Sequence, residues 1–180
     1  MSKLVLIAFA TRYGSTKEVA ERIAQIFIQS GFEVNILPCK KVETLEQYQF
    51  IVIGAPFYIG SMLKDAKNFL MKNQEILSKK PVAFFALGPI GDTEKELTDT
   101  QNQLENELTQ FPWFKPISKV MFGGNYEPEK LRFLDKLLTK PPASPLHNLA
   151  ANDARNWEEI KDWAENLSSK LFISENPSDH

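Results

Sequence analysis

Apolar runs alternate along the chain with segments in which apolar residues recur every three or four positions. Three of the runs, residues 4–9, 50–53 and 82–87, are uninterrupted, as expected of strands that are covered on both faces. Two further runs, residues 34–37 and 117–122, alternate in polarity, and we place them nearer the edges of a sheet. Strands that alternate with helices are typical of a parallel sheet. The pattern therefore predicts an α/β protein with five strands.

The segments of helical periodicity predict the helices that connect these strands. The first helix is expected to open at a Ser15-x-x-Glu18 capping box and to close at Gly31. The last helix is expected from about residue 153 to residue 171, with Trp157 on its inward face. The other two helices are expected at residues 62–70 and at roughly residues 94–110.

The composition is that of an ordinary soluble domain. The chain has 180 residues, of which 43% are hydrophobic and 24% are charged, and its net charge is −2. This balance gives no sustained basic field that could hold nucleic acid, and no apolar run approaches the roughly 20 residues of a membrane-spanning helix. We therefore expect one domain over residues 1–172, a disordered tail over residues 173–180, and a cytoplasmic location.

Thiol and imidazole groups are too few for two common kinds of small scaffold. Cys39 is the one cysteine of the sequence, so it cannot form an internal disulfide. The two histidines, His147 and His180, lie far apart and cannot complete a zinc cage with it. Disulfide-stabilised and zinc-binding modules are therefore excluded, and no metal site is expected.

The junction between the first strand and the first helix is dense in hydroxyl groups. Backbone N–H groups at a helix start lack intrahelical partners, and the helix dipole favours negative charge there. Hydroxyls around a glycine at such a place indicate a phosphate site, whereas Ser15 alone would indicate no more than a helix cap. Walker and dinucleotide glycine patterns are absent from the sequence. The candidate contacts, which we name the phosphate loop, are Thr11, Arg12, Tyr13, Gly14, Ser15 and Thr16.

Two further segments leave the sheet at the same edge, because the carboxyl ends of parallel strands lie together. Residues 54–61 follow the third strand, and an aromatic side chain such as Tyr58 can stack on a planar ligand. Alternatively, the aromatic residues of this turn pack on the end of the sheet. The candidate contacts are Ala55, Pro56, Phe57, Tyr58, Ile59 and Gly60 after the third strand, and Leu87, Gly88, Pro89 and Ile90 after the fourth.

The phosphate loop resembles that of the flavodoxins, which bind the terminal phosphate of FMN largely through hydroxyls and backbone amides. Flavodoxins usually place a small hydroxyl residue where this chain has Tyr13, so we expect a backbone contact at that position. Residues 54–61 look like the first isoalloxazine loop of the same family. The resemblance implies FMN as the cofactor. It also implies a flavodoxin-like three-layer α/β/α sandwich with five parallel strands in the order 2-1-3-4-5.

From residue 1 to about residue 170 the chain resembles the flavodoxin-type, menaquinone-dependent protoporphyrinogen oxidases. The resemblance is carried by the T-R-x-G-x-T phosphate loop, I-G-A-x-x-Y at residues 53–58, G-G-x-Y at residues 123–126 and D-x-R-x-W at residues 153–157. The last strand and the last helix are joined by residues 125–152, which we name the connecting segment. Its leucines and lysines allow a helix that packs on the body, grips an acidic porphyrinogen or touches a membrane surface.

The resemblance implies oxidation of a protoporphyrinogen-like tetrapyrrole, with a quinone as the electron acceptor. A flavodoxin-type electron carrier and an FMN-dependent quinone reductase would share the same cofactor site. A carrier usually presents a strongly acidic docking face, which a net charge of −2 hardly provides. No side chain in the three candidate segments demands the role of a catalytic acid or base, so none is assigned.

Overall fold

The computed structural model describes residues 3–58, 60–88, 94–142, 144, 147 and 149–173. Three of the candidate contacts, Ile59, Pro89 and Ile90, lie outside these residues. The expected tail is likewise outside them, except that Ile173 ends the last helix.

Five long strands run parallel in one sheet. They are β1 (Leu4–Phe9), β2 (Glu33–Pro38), β3 (Phe50–Tyr58), β5 (Val82–Gly88) and β6 (Ser118–Gly123), while the short β4 (Ser61–Met62) pairs antiparallel with β3. Their order is β2-β1-β3-β5-β6, which confirms the order predicted for the five long strands. Two short strands, β7 (Asn125–Tyr126) and β8 (Asn152–Asp153), form an antiparallel pair of their own.

Helices cover both faces of the sheet, which gives three layers. One face carries α1 (Ser15–Gln29) and α6 (Trp157–Ile173), and the other carries α2 (Lys64–Lys72), α3 (Gln74–Leu77) and α4 (Glu94–Leu108). The connecting segment contributes α5 (Phe133–Thr139), and short 3-10 turns lie at Cys39–Lys41 and Pro128–Lys130.

The alternation of side chains along each central strand divides the core into two clusters. On β1, Val5 and Ile7 pack toward α1 and α6, whereas Leu6 and Ala8 pack toward α2 and α4. All four side chains are fully buried. Each buried branched side chain of this kind contributes about 1.5–3 kcal/mol relative to exposure, so the uninterrupted apolar runs are what the central strands require.

The predicted capping box at the start of α1 is wrong. Gly14 occupies the cap position with φ 98°, and no side chain caps the helix. Glu18 does not return to the helix start, because its carboxylate pairs with Arg155 at 2.7 Å. The Ser15 hydroxyl is therefore not used as a helix cap.

The last helix starts later than the periodicity predicted. It begins at Trp157, and the Asn156 side chain accepts hydrogen bonds from the N–H groups of Glu158 and Glu159 at 3.1 and 3.2 Å. Trp157 is 39% exposed rather than inward-facing, and the Arg155 guanidinium lies 4.7 Å from its ring centre. This cation–π contact explains why an apolar side chain stays at the surface.

The two ends of the connecting segment lie side by side. Asn125 pairs with Asp153 and Tyr126 with Asn152, and the Ala154 N–H donates to the Gly124 carbonyl at 2.9 Å. The segment therefore leaves and re-enters the domain at one place, next to the carboxyl end of β6.

Candidate cofactor-binding site

The carboxyl ends of β1, β3 and β5 meet at one edge of the sheet, which we name the cofactor edge. Phe9 of β1 lies opposite Gly54 of β3, and Pro56 of β3 lies opposite Leu87 of β5. The chain therefore brings the phosphate loop, the end of β3 and the end of β5 to the same edge, as parallel strands require.

The phosphate loop turns tightly from β1 into α1. Gly14 adopts φ 98°, and its N–H donates to the Thr11 hydroxyl oxygen at 2.9 Å. The first helical bond runs from the Glu18 N–H to the Gly14 carbonyl at 3.1 Å. The amides of the first helical turn therefore precede the helical ladder, and they and the helix dipole favour an anion at this point.

The side chain of Thr16 supplies an independent indication of a ligand. Its residue is fully buried, and its hydroxyl oxygen finds no hydrogen-bond partner among the described residues. An unpaired buried hydroxyl is costly, so a polar atom of a ligand is the natural partner. Ser15, one residue earlier, is 9% exposed and leaves its hydroxyl free of a capping role.

Arg12 and Tyr13 bind the connecting segment. Arg12 donates to Asp135 of α5 at 2.8 Å, and the Tyr13 hydroxyl donates to the other oxygen of the same carboxylate. Burial and this hydrogen bond raise the pKa of Tyr13 above its ordinary value. The sequence did not reveal this contact, because the partners are more than 120 positions apart. Asp135 is also one of several charged residues in its segment, and nothing local distinguishes it from a solvent-exposed side chain.

The segment that was expected to be a loop after β3 is largely strand. Ala55, Pro56 and Phe57 are buried within β3, and Phe57 is 7% exposed. Tyr58, the last residue of β3, is 38% exposed and is the aromatic side chain of this strand end that is open to a ligand. Burial, and then the nearby Tyr13 phenol, raise the pKa of Tyr58 to about 12.

The β3–β4 turn follows Tyr58, and the structure describes its Gly60. The φ of Gly60 is 75°, a left-handed conformation that side chains disfavour. Tyr58 and Ser61 pair across the hairpin, as do Phe57 and Met62. The hairpin was not predicted, because two residues are too few to show any periodicity.

Behind this hairpin lies Glu107, a buried carboxylate of α4 that the sequence analysis missed. One of its oxygens accepts hydrogen bonds from the Ser61 hydroxyl at 2.9 Å and the Met62 N–H at 3.0 Å. Lys67 of α2 pairs with the same oxygen at 2.5 Å. Burial alone would raise the pKa of Glu107, but the hydrogen bonds from Lys67, Met62 and Ser61 outweigh it and lower the pKa below its ordinary value.

The end of β5 provides the third side of the edge. Leu87 is 3% exposed and Gly88 ends the strand, so both lie within β5 rather than in a loop. A Cβ on Gly88 would lie 2.9 Å from the Met121 sulfur and 3.0 Å from a Thr100 methyl group. A side chain at this strand end would therefore require the Met121 and Thr100 side chains to shift.

Arg155 fastens the end of the connecting segment to the start of α1. Its side chain is 5% exposed and forms two hydrogen bonds with the Asp153 carboxylate, at 2.8 and 2.7 Å. A third bond, at 2.7 Å, goes to Glu18. Hydrogen bonding from Arg155 lowers the pKa of Asp153 below its ordinary value. The phosphate loop and the start of α1 are thus held by Asp135 within the connecting segment and by Arg155 just after it.

Comparisons with known proteins agree with this arrangement. A family model described as the flavodoxin domain matches residues 6–144. The chain is 24% identical over 169 residues to an Escherichia coli protein named protoporphyrinogen IX dehydrogenase (quinone), covering 91% of this chain and 93% of that protein. It is 27% identical over 112 residues to a flavodoxin of Nostoc sp., covering 61% of this chain and 66% of that protein. Among solved structures, a flavodoxin from the domain Archaea aligns with a TM-score of 0.57 and 13% identity, covering 94% of this chain and 99% of that one.

The site is suited to the cofactor that this family implies. The Thr16 hydroxyl, which has no partner among the described residues, and the amides that precede the helical ladder of α1 offer donors for a phosphate, and Tyr58 offers an exposed aromatic ring at the same edge. The chain therefore belongs to the flavodoxin domain family, and it binds FMN.

Proposed function

We propose that the chain is an FMN-dependent oxidoreductase that oxidises a protoporphyrinogen-like tetrapyrrole and passes the electrons to a quinone. The observation that carries this proposal is the contact between Asp135 of α5 and two residues of the phosphate loop, Arg12 and Tyr13. It fixes the connecting segment beside the cofactor edge, where a wall can shape a crevice for a small molecule. The similarity to the Escherichia coli enzyme spans this segment as well.

The protein's own part in this reaction is to seat the cofactor and to shape its surroundings. FMN, when bound, supplies the electron-accepting group. The hydroxyls of Thr11, Ser15 and Thr16, with the first amides of α1, would hold its phosphate, and Tyr58 would stack on its ring. The ends of β3 and β5 would line the remaining sides of the ring. Arg12 is paired with Asp135, so a neutral set of donors rather than an arginine would hold the phosphate.

The outer surface of α5 suits both partners of this reaction. Phe133 is 75% exposed and Leu137, one turn later, is 41% exposed. Arg132, Lys136 and Lys140 lie on the same short stretch of chain and are exposed. Basic groups match the carboxylates of a tetrapyrrole, and exposed apolar side chains suit the surface of the membrane in which quinones reside. Cytoplasmic location with peripheral membrane contact is therefore part of the proposal.

No helix among the described residues is long and apolar enough to cross a membrane.

An electron carrier of the flavodoxin type is the main competitor, and a quinone reductase is the second. The carrier shares the cofactor edge but has no use for a wall beside it, and the small net charge of −2 gives little acidic surface for docking. The quinone reductase would need an external reductant in place of the tetrapyrrole.

An anaerobic assay separates these functions. The FMN-loaded protein is mixed with reduced tetrapyrrole and a menaquinone analogue, and porphyrin fluorescence is followed. We expect porphyrin to form in proportion to the quinone consumed. If porphyrin does not form while a reduced redox protein or a nicotinamide cofactor reduces the flavin, the proposal fails in favour of a competitor.

A shortened protein tests the role of the connecting segment. Tyr126 and Asn152 pair across the base of the segment, so a two-residue Asn-Gly turn can replace residues 127–151. We expect this protein to bind FMN within about threefold of the full chain, because the lost contacts to the phosphate loop are partly exposed and do not touch the hydroxyls assigned to the phosphate. We expect porphyrin formation to be lost. Turnover that survives the replacement would remove the segment from the active site.

A further inference from the structure

Glu107 is a buried carboxylate that the proposed reaction does not use. We propose that Glu107 is a positioning residue, which fixes the β3–β4 turn and thereby sets how strongly the site distinguishes oxidised from reduced FMN. This inference depends on FMN binding at the cofactor edge and not on the identity of the substrate.

The hairpin itself shows why a carboxylate is needed. Residues that face each other in an antiparallel pair alternate between bonded and non-bonded positions. Tyr58 and Ser61 are the pair nearest the turn, and Leu63 donates to the Pro56 carbonyl at 3.3 Å on the other side of Met62. The Met62 N–H therefore points away from β3. Glu107 accepts it at 3.0 Å and so satisfies a donor that would otherwise be buried without a partner.

The same carboxylate oxygen also holds the residue before Met62. The Ser61 hydroxyl donates to it at 2.9 Å, so two successive residues of β4 are fixed directly after Gly60. One helical turn before Glu107, Gln103 covers the turn, since a Cβ on Gly60 would lie 3.4 Å from its side-chain oxygen. One face of α4 thus supports Gly60, Ser61 and Met62 of the β3–β4 hairpin.

The charge of Glu107 is compensated where it lies. Lys67 pairs with it at 2.5 Å, and Gln110 donates to its second oxygen at 2.7 Å. The Lys67 side chain is 24% exposed and that of Glu107 is 5% exposed, so water screens this pair only weakly. Removal of the carboxylate charge would leave the Lys67 ammonium without its partner. The network therefore ties β4, α2 and α4 together behind the turn.

The turn lies where it can meet the ring of the cofactor, because it continues the strand that ends in Tyr58. Oxidised flavin presents a hydrogen-bond acceptor at N5, whereas reduced flavin presents an N–H donor there. A backbone held in one orientation cannot suit both forms equally. A turn fixed by Glu107 should therefore bind one form better than a loose turn would.

The test compares three variants by their dissociation constants for oxidised and for reduced FMN. Glu107→Gln keeps the size of the side chain but removes its charge, and Ser61→Ala removes a single donor from the turn. Glu105→Gln is the matched control, because Glu105 of the same helix pairs at 2.5 Å with Lys119 away from the turn. Flavin fluorescence and anaerobic titration give the two constants for each protein.

We expect Glu107→Gln to weaken oxidised FMN at least fivefold and to change the ratio of the two constants at least threefold. Ser61→Ala should change the ratio at least twofold in the same direction, and Glu105→Gln should leave both constants unchanged. If Glu107→Gln weakens both forms equally, the residue is merely structural and the proposal is overturned. If that variant does not fold, an unchanged ratio for Ser61→Ala overturns it. Failure of the unaltered protein to bind FMN would instead refute the cofactor assignment.

Discussion

The phosphate loop and the β3–β4 turn lie at the same edge of the sheet, yet different parts of the chain hold them. The phosphate loop is held from outside, by Asp135 and Arg155 of or beside the connecting segment. The β3–β4 turn is held from within, by Glu107 of α4, whose side chain is 5% exposed. In the first set the Arg12 side chain is 38% exposed, whereas the side chains of Asp135 and Arg155 are 14% and 5% exposed.

This difference indicates that the two ends of the cofactor site have different mechanical roles. Ion pairs near the surface contribute little stability, so we expect the Arg12–Asp135 contact to open without unfolding of the domain. A buried carboxylate with several donors cannot separate in the same way, because its partners would remain unpaired. The β3–β4 turn, which we name the ring end, should therefore be rigid, and the phosphate loop, which we name the phosphate end, should be adjustable.

The largest effect is expected from Thr16→Val at the phosphate end. Valine keeps the shape of threonine and removes the hydroxyl that has no partner among the described residues. FMN binding should weaken at least about tenfold, because a hydrogen bond to a charged group contributes roughly 1.5–3 kcal/mol. The apoprotein should gain about 1 kcal/mol of unfolding free energy, because an unsatisfied buried group is removed. Fluorescence titration and urea unfolding measure the two changes.

Thr100→Val is the matched control for this substitution. The Thr100 hydroxyl donates to the Glu96 carbonyl at 2.7 Å within α4, so it already has a partner. We expect no gain in apoprotein stability and no change in FMN binding. A Thr16→Val protein that binds FMN normally would contradict the assignment of the phosphate loop.

The second-largest effect is expected when alanine replaces either of the two glycines of the site that adopt a left-handed conformation. Gly14 has φ 98° and Gly60 has φ 75°, and alanine in this region costs about 1–2 kcal/mol. A Cβ on Gly14 would meet nothing within 4 Å, and one on Gly60 would touch Gln103 at 3.4 Å. We expect Gly14→Ala and Gly60→Ala to lower the unfolding free energy of the apoprotein by similar amounts, measured in urea.

Gly31→Ala serves as the reference, because Gly31 has φ 88° and lies at the far end of α1. It should lose the same stability and leave FMN binding unchanged. If Gly60→Ala is clearly more destabilising than Gly14→Ala, the support from α4 is even stiffer than the contacts indicate. If Gly60→Ala is harmless, the ring end is not rigid.

A smaller effect is expected from Asp135→Asn, which weakens the contacts to Arg12 and Tyr13. A partly exposed ion pair contributes about 0–1 kcal/mol, so FMN affinity should change by threefold or less. Trypsin should cleave faster within residues 130–140, because α5 is held less firmly. Asp99→Asn, on the exposed face of α4, is the control and should not change the cleavage rate. A large loss of FMN affinity would show that the phosphate end is rigid after all.

The sequence was informative where one local pattern decides the structure. Continuous apolar runs predicted the central strands, and the meeting of their carboxyl ends placed the candidate contacts at one edge. The strand order came from the family resemblance and is confirmed. An apolar run is a property of neighbouring residues, and the meeting of carboxyl ends holds for every parallel sheet. Neither depends on which distant side chains pair.

The sequence was uninformative where a polar side chain takes a distant partner. The spacing of Ser15 and Glu18 predicts a capping box, but the Glu18 carboxylate pairs with Arg155 at 2.7 Å instead. Glu107 is one of several acidic residues in a polar helix, and nothing local marks it as buried beneath β4. The periodicity predicts Trp157 as a core residue, whereas its ring is 39% exposed and stacks with Arg155. Pairing between residues that are far apart in the sequence leaves no periodic pattern, so hydrophobic periodicity does not predict it.

The smallest effect is expected from a change in pH. Its influence on the unfolding free energy should differ between Glu107, behind the β3–β4 turn, and Asp153, beside the phosphate loop. Both Glu107 and Asp153 have a pKa below the ordinary values of 4.5 and 3.8, so their charged forms favour the folded state. This stability is fully present above those ordinary values and is lost as pH falls through the lowered ones. Between about pH 5 and 8 both carboxylates stay charged, so neither should make the unfolding free energy depend on pH.

Urea unfolding in acid then distinguishes the buried carboxylate from the exposed one. The Asp153 side chain is 42% exposed, so water screens its pairing with Arg155 more than it screens Glu107. We expect Glu107→Gln to flatten the decline in unfolding free energy below about pH 4.5 more than Asp153→Asn does. If Asp153→Asn flattens it more, the exposed contacts of the connecting segment are the stronger ones, and the contrast between a rigid ring end and an adjustable phosphate end is reversed.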